Sequence, residues 1–225
     1  MILDPVMLAV GIALLWFPRQ WMRRGLALLR RRRRSSGSER IVDPWKDREP
    51  GDPQVQFGVE FRKFRNYIDL LRGAAGSLAI WGGMGIVPGI ALEADAARGA
   101  SHQVLGLRCA IVLIGLLIQA TRFEKDRLSF YPPIFFLAGL SVGVCGHRAA
   151  AFAFVMIWAV NPGLSNAGAF LSVYAALLVA FGGLFTSFTS IPVMLMGLLA
   201  FLPVVLSLMV KRPLMIFTRK GSRTR

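Results

Sequence analysis

Acidic residues, histidine and cysteine are all scarce in this chain. Its 225 residues include 12 Asp and Glu against 27 Lys and Arg, with two His and two Cys. Cys109 and Cys145 both fall in apolar runs and are too few for a disulfide framework or a zinc finger. Charged residues make up 17% of the chain and hydrophobic ones 55%, where soluble domains carry about 25% and 45–50%. The deficit is most extreme from Leu128 to Val210. That stretch has no Asp, Glu or Lys, and its one formal charge is Arg148, beside His147. A bilayer core takes about 20 apolar residues per helical crossing, so four crossings fit there with almost no loop between them. The expected fold is therefore all-α, a polytopic transmembrane helical bundle.

Each absence excludes a chemistry. Intramembrane proton relays use ionisable groups, usually carboxylates, and a retinal-type Schiff base needs a lysine. The crossings assigned below contain no Asp, Glu or Lys, which argues against a proton-coupled carrier and a photoreceptor. Gly82-Gly83-Met84-Gly85 is glycine-rich but lacks the strand and helix of a phosphate cradle. His-Glu-x-x-His does not occur, and no Gly-x-Ser-x-Gly nucleophile elbow is expected. Nothing in the spacing of residues names a cofactor.

What is present reads in order as four regions. Residues 1–22 hold a first crossing, Pro5 to Met22, apolar to Phe17 and interrupted at Pro18, with Trp16 and Trp21 at headgroup level. Residues 23–73 are basic, including Arg30 to Arg34, with a linker from Ser35 to Gly51. Asp52-Pro53 is a helix start. In the helix expected over 53–72, Phe57, Phe61, Phe64, Ile68 and Leu71 fall on one face, with Arg62, Lys63, Arg65, Asn66, Asp69 and Arg72 off it. Such an amphipathic helix lies on the membrane surface, docks on a partner, or packs on the protein's own cytoplasmic side. The period does not choose among these.

Residues 74–210 are the bundle proper, with crossings at Ala74–Leu92, Val104–Thr121, and about 128–146, 149–165, 167–187 and 191–210. A basic tail, 211–225, follows. With the first segment this makes seven crossings; six result if one late apolar segment is a half-buried hairpin. Every Lys and Arg except Arg98, Arg108 and Arg148 falls in 19–72, 122–127 or 211–225. The positive-inside rule then puts the N-terminus outside and the C-terminus in the cytoplasm, as in a bacterial-type inner membrane. The net charge of +15 is thus a signature of topology. No nucleic acid is expected as a partner, and Arg30 to Arg34 are placed to meet anionic lipid headgroups.

The outer zone gathers His102, Cys109, Cys145, His147, Arg98, Arg108 and Arg148. They read as interfacial and packing residues, or as a metal site of His102, His147, Cys109 and Cys145, since imidazole and thiolate suit zinc or copper. A third reading is a lipid or anion site of Arg108, Arg148 and His147. Arg108 lies inside a crossing, where a charge is a functional-site hypothesis by default. Asn161-Pro162-Gly163 reads as a turn rather than a broken helix.

The leading functional expectation is a non-catalytic integral subunit or scaffold of a larger membrane complex. It would dock other membrane protein subunits through its crossings and its amphipathic helix. A carrier or channel for an apolar or lipid-like substrate is the alternative, with a cavity lined by Arg108, Asn161 or Gln119. An enzyme acting on a lipid-linked phosphate through His147, Arg148 and Arg108 is a third reading.

Overall fold

The computed structural model describes residues 2–18, 55–91, 98–124, 127–211 and 214. Eight α-helices lie in them: α1 (Pro5–Trp16), α2 (Phe57–Phe61), α3 (Phe64–Trp81), α4 (Arg98–Ala120), α5 (Ile134–Cys145), α6 (His147–Val160), α7 (Ala167–Phe185) and α8 (Ile191–Met209). Two small antiparallel strand pairs accompany them, β1 (Ile2–Leu3) with β2 (Ile90–Ala91) and β3 (Thr121–Glu124) with β4 (Arg127–Phe130). Ser101–Ala120 of α4, together with α7 and α8, are long and apolar enough to cross a membrane, and α1 and α5 are shorter apolar helices. Val155, Leu184, Leu198 and Leu208 stand exposed on α6, α7 and α8. An exterior of that kind is an aggregation liability in water and is at home in lipid. Length, composition and surface together point to an integral, multi-pass membrane protein.

Asp4 caps α1, accepting hydrogen bonds from the backbone N–H groups of Val6 (3.0 Å) and Met7 (3.2 Å) with Pro5 at the first helical position. The helix stops at Trp16, two residues before Pro18, and its 12 residues span about 18 Å. Close approaches fix the helix directions. Gly11 meets Ile80 and Gly76 meets Leu15, so α1 and α3 are antiparallel. The Trp16 indole donates to the Ile111 carbonyl (2.9 Å), and Gln119 donates to the Phe17 carbonyl (3.0 Å), which sets α4 parallel to α1. Gly73 meets Phe136 and Gly143 meets Ser77, so α3 and α5 are parallel. Gly146, at φ 85°, turns α5 directly into α6, and α7 and α8 follow antiparallel, with Gly182 against Val193 and Gly197 against Val179. Chain direction therefore alternates between a Pro5 end and a Phe17 end through α1, α3, α4, α5, α6, α7 and α8.

α5 is the axis. It is apolar on every side, as a helix surrounded by protein should be, and ten of its residues are buried among α3, α6, α7 and α8. Its seam with α3 is made of small residues. A Cβ on Gly73 would come within 2.6 Å of the Phe136 carbonyl oxygen, and one on Gly143 within 2.6 Å of the Ser77 carbonyl carbon. Ser77 fills the gap with polar bonds, its hydroxyl meeting the Gly139 carbonyl (3.3 Å) and the Gly143 N–H (3.2 Å). Small residues four apart, such as Gly73 and Ser77 or Gly139 and Gly143, let backbones touch, gaining packing where lipid supplies no hydrophobic drive between helices.

Several expected boundaries are corrected. The helix expected over 53–72 is two helices, α2 and α3, broken at Arg62-Lys63, and α3 runs on past Arg72 to Trp81. The expected crossing at Ala74–Leu92 thus begins inside an existing helix and ends early at Gly82, whose φ of 81° no helix accommodates. Thr121–Glu124 and Arg127–Phe130 pair as β3 and β4, which delays α5 from an expected start near 128 to Ile134. The turn at Asn161-Pro162-Gly163 is present, as one short 3-10 segment. Asp52-Pro53, the arginine run Arg30 to Arg34 and most of the basic tail lie outside the described residues.

Candidate functional site

The largest departure from expectation lies on α3. Its outward residues are Phe64, 71% exposed, Tyr67, Leu71, 68% exposed, and Ala75; Ile68 is half-buried beside them. Asn66, Asp69 and Arg72, expected off the apolar stripe, are buried in the bundle, with Asp69 at 3% and Arg72 at 6% exposure. The apolar stripe is present on α3 and faces out of the bundle at Phe64 and Leu71. Charged groups cost least among protein dipoles, and there Asp69 and Arg72 lie.

Asn66, Asp69 and Arg72 recur every three residues and continue into Gly73, Gly76 and Ser77, so one face begins polar and ends small. Asp69 and Arg72 form an ion pair at 3.1 Å. The Arg72 guanidinium also donates to the Phe17 carbonyl, where α1 ends, and stacks 5.2 Å above the Phe136 ring of α5. A helix C-terminus carries partial negative charge on its free carbonyls, so a cation there is favourable. Gln119 of α4 donates to the same Phe17 carbonyl at 3.0 Å and to that of Leu15 at 3.3 Å. Arg72 and Gln119 thus join α1, α3, α4 and α5 at one point.

At the head of α3, Glu60 takes Lys63 (2.5 Å) and the Asn66 amide (2.7 Å), stitching the α2–α3 elbow. Phe57 and Phe61, expected to dock on a partner, the membrane or the chain itself, belong to an aromatic cluster of the chain, with Phe57 still 54% exposed. Phe61 meets Phe135 (5.2 Å) and Trp158 (5.1 Å), and Phe57 meets Trp158 (5.5 Å). Asn161 completes this corner by donating to the Val55 carbonyl at 2.6 Å. Asn161→Ala is expected to cost about 1 kcal/mol and to speed hydrogen exchange at Val59 and Glu60, which bond to Gln56 at the start of α2, while the α7 amides stay protected.

The outer-zone residues do not converge as a metal site. His102 and His147 are exposed, Cys109 is half-buried and Cys145 is buried. Among the described residues no three His, Cys, Asp or Glu side chains come together to hold a metal. His147 and Arg148 are exposed at the start of α6, whereas Arg108 is half-buried. It donates to the Ile90 carbonyl and lies 5.6 Å over the Trp81 ring, fastening α4 to the end of α3 and to β2.

Gly139-Leu140-Ser141-Val142-Gly143 corrects the expectation that no Gly-x-Ser-x-Gly occurs. It is no elbow, for it lies within α5, where a nucleophile elbow needs a sharp strand-to-helix turn. The buried Ser141 hydroxyl donates to the Ala138 carbonyl at 2.8 Å, and both glycines are consumed by the seam with α3.

Sequence reasoning missed the Asp69–Arg72 pair, although the signal was present in the three-residue spacing of Asn66, Asp69 and Arg72. No known protein family, curated protein or solved structure matches this chain.

Proposed function

We propose that this chain is a non-catalytic integral membrane scaffold or subunit of a larger membrane complex, with seven crossings, N-terminus outside and C-terminus in the cytoplasm. The observation that carries the scaffold reading concerns the three residues a transport path would be lined with. Arg108, Gln119 and Asn161 each donate to a backbone carbonyl of a distant segment of the same chain, at Ile90, Phe17 and Val55. Polar groups used this way set helix positions, as expected of a rigid framework that presents its outer faces to other subunits.

Alternation of direction supports the seven crossings. The segments that join the helices at the Phe17 end, 19–63, 122–127 and 211–225, hold 22 of the 27 Lys and Arg, a bias that supports a cytoplasmic Phe17 end. An inner membrane of bacterial type fits this bias, with anionic headgroups beside Arg30 to Arg34. Extraction in a mild detergent, followed by size analysis and mass spectrometry, tests the scaffold reading. A stoichiometric membrane partner is the expected result, and a stable lone monomer with no co-purifying protein would count against it.

A further inference from the structure

We infer that the turn from Gly82 to Gly89 is an interfacial wedge, whose apolar side chains enter the lipid leaflet at the Pro5 end of the bundle. α3 closes with the Gly82 N–H donating to the Leu78 carbonyl at 2.7 Å. Gly83 and Ile86 then exchange backbone hydrogen bonds of 3.3 and 3.0 Å around Met84 and Gly85, which sit at φ 53° and 81°. Two successive positive φ values define the tight turn that matches strand twist. Met84 accepts this conformation at some cost, since only glycine enters it freely.

The turn is rigidly mounted. Gly89 donates to the Ala79 carbonyl (2.7 Å), Asp4 donates to the Gly89 carbonyl (2.9 Å), and Arg108 holds the Ile90 carbonyl. A Cβ on Gly89 would lie within 2.6 Å of the Leu8 nitrogen, so this glycine is required for the mounting. What the mount presents is apolar: Met84 is 67% exposed, Val87 66%, and Ile86 is exposed beside them. No charged residue occurs between Arg72 and Glu93.

Two opposing demands fix the depth. Among the described residues, the amides of Met84, Gly85 and Val87 take no backbone hydrogen bond, and such groups cannot be left in hydrocarbon. The Met84, Ile86 and Val87 side chains gain by leaving water, at about 25 cal/mol per Å² of apolar surface. Both demands are met at the boundary of headgroups and acyl chains. Trp81 stands at the foot of the turn beneath Arg108, a pairing of amphipathic ring and long cation that belongs at the same level. The occupant is therefore phospholipid. The inference rests on α3 being a crossing but not on which side of the membrane the Pro5 end faces.

Met84→Cys and Val87→Cys, each in a Cys109→Ser/Cys145→Ala background, would carry an environment-sensitive fluorophore in phosphatidylcholine vesicles. Ser187→Cys, exposed at the same end, is the aqueous reference, and Leu71→Cys reports on α3. The expected result is quenching at 84 and 87 by lipid bearing a nitroxide high on its acyl chain, with iodide quenching reduced several-fold relative to 187. Iodide quenching equal to that at 187 overturns the wedge in favour of an aqueous loop. Protection from both quenchers overturns it in favour of a covering protein. If the label at 71 also escapes the lipid quencher, the crossing by α3 fails; if 71 is quenched and 84 is not, the wedge alone fails.

Discussion

Arg72→Leu is expected to be the most damaging conservative-volume change in the bundle, with a loss of about 3–5 kcal/mol, the usual cost of removing one partner of a buried ion pair. The substitution strips a buried carboxylate of a guanidinium 3.1 Å away. It also removes a donor from the Phe17 carbonyl, where α1 ends, and a cation from the Phe136 face. Equilibrium unfolding in mixed detergent micelles would measure the loss. The double change Asp69→Leu/Arg72→Met separates charge from packing. Apolar residues of similar size in place of a buried pair are often neutral, and Gln119 still donates to Phe17. Recovery of most of the loss in the double variant is therefore expected. Equal damage in both variants would mean that the capping of α1, not the charge balance, carries the effect.

The second large effect is expected at Gly139. A Cβ there would strike the Leu70 carbonyl and lie 2.7 Å from the Ala74 nitrogen. Both obstacles are backbone atoms of α3, so no side-chain rotation relieves the clash. Gly139→Val must push α3 and α5 apart, which also pulls Ser77 from Gly143. Overpacking costs about 1–3 kcal/mol where neighbours can yield, and this site should lie at or beyond the upper bound. Gly106 provides the control, since nothing stands within 4 Å of its added Cβ. Gly106→Ala in the middle of α4 should stabilise by up to about 1 kcal/mol, the difference in helix propensity. If Gly139→Val and Gly106→Ala had equal melting temperatures, close backbone packing would not be what holds α5 in place.

The outcome at α3 explains how much was legible in the sequence. Apolar runs located α4, α7 and α8 well because length and lack of charge are sufficient there. Spacing identified the stripe through Phe64, Ile68 and Leu71, yet periodicity states only that two faces differ. It does not say which solvent each face meets. The spacing set Asn66, Asp69 and Arg72 off the stripe without saying what they meet, and they turn out to be buried against neighbouring helices. The end of α3 was hidden for another reason. Gly82 to Leu92 is as apolar as a helix, and positive φ at Gly82, Gly83 and Gly85 leaves no hydropathic trace. Arg108 was singled out, but its partners were hidden: Trp81 ends α3 and Ile90 lies in β2, both within a stretch that reads as one helix. The outer-zone histidines and cysteines were close only in a coarse map of helix ends, which fixes height and not rotation about each axis.

A nitroxide scan along α3 in vesicles tests most directly whether its apolar stripe meets lipid. Oxygen partitions into lipid and a neutral nickel chelate into water, so their collision rates with labels at 64, 66, 67, 71, 75 and 78 report what each face meets. Collisions with oxygen should be highest at 64, 67, 71 and 75 and lowest at 66 and 78, with the nickel chelate excluded from the 67, 71 and 75 positions. Nickel access peaking at 66 with oxygen excluded from 64 and 71 would place the polar face in water, and would contradict a membrane helix that turns Asp69 and Arg72 inward.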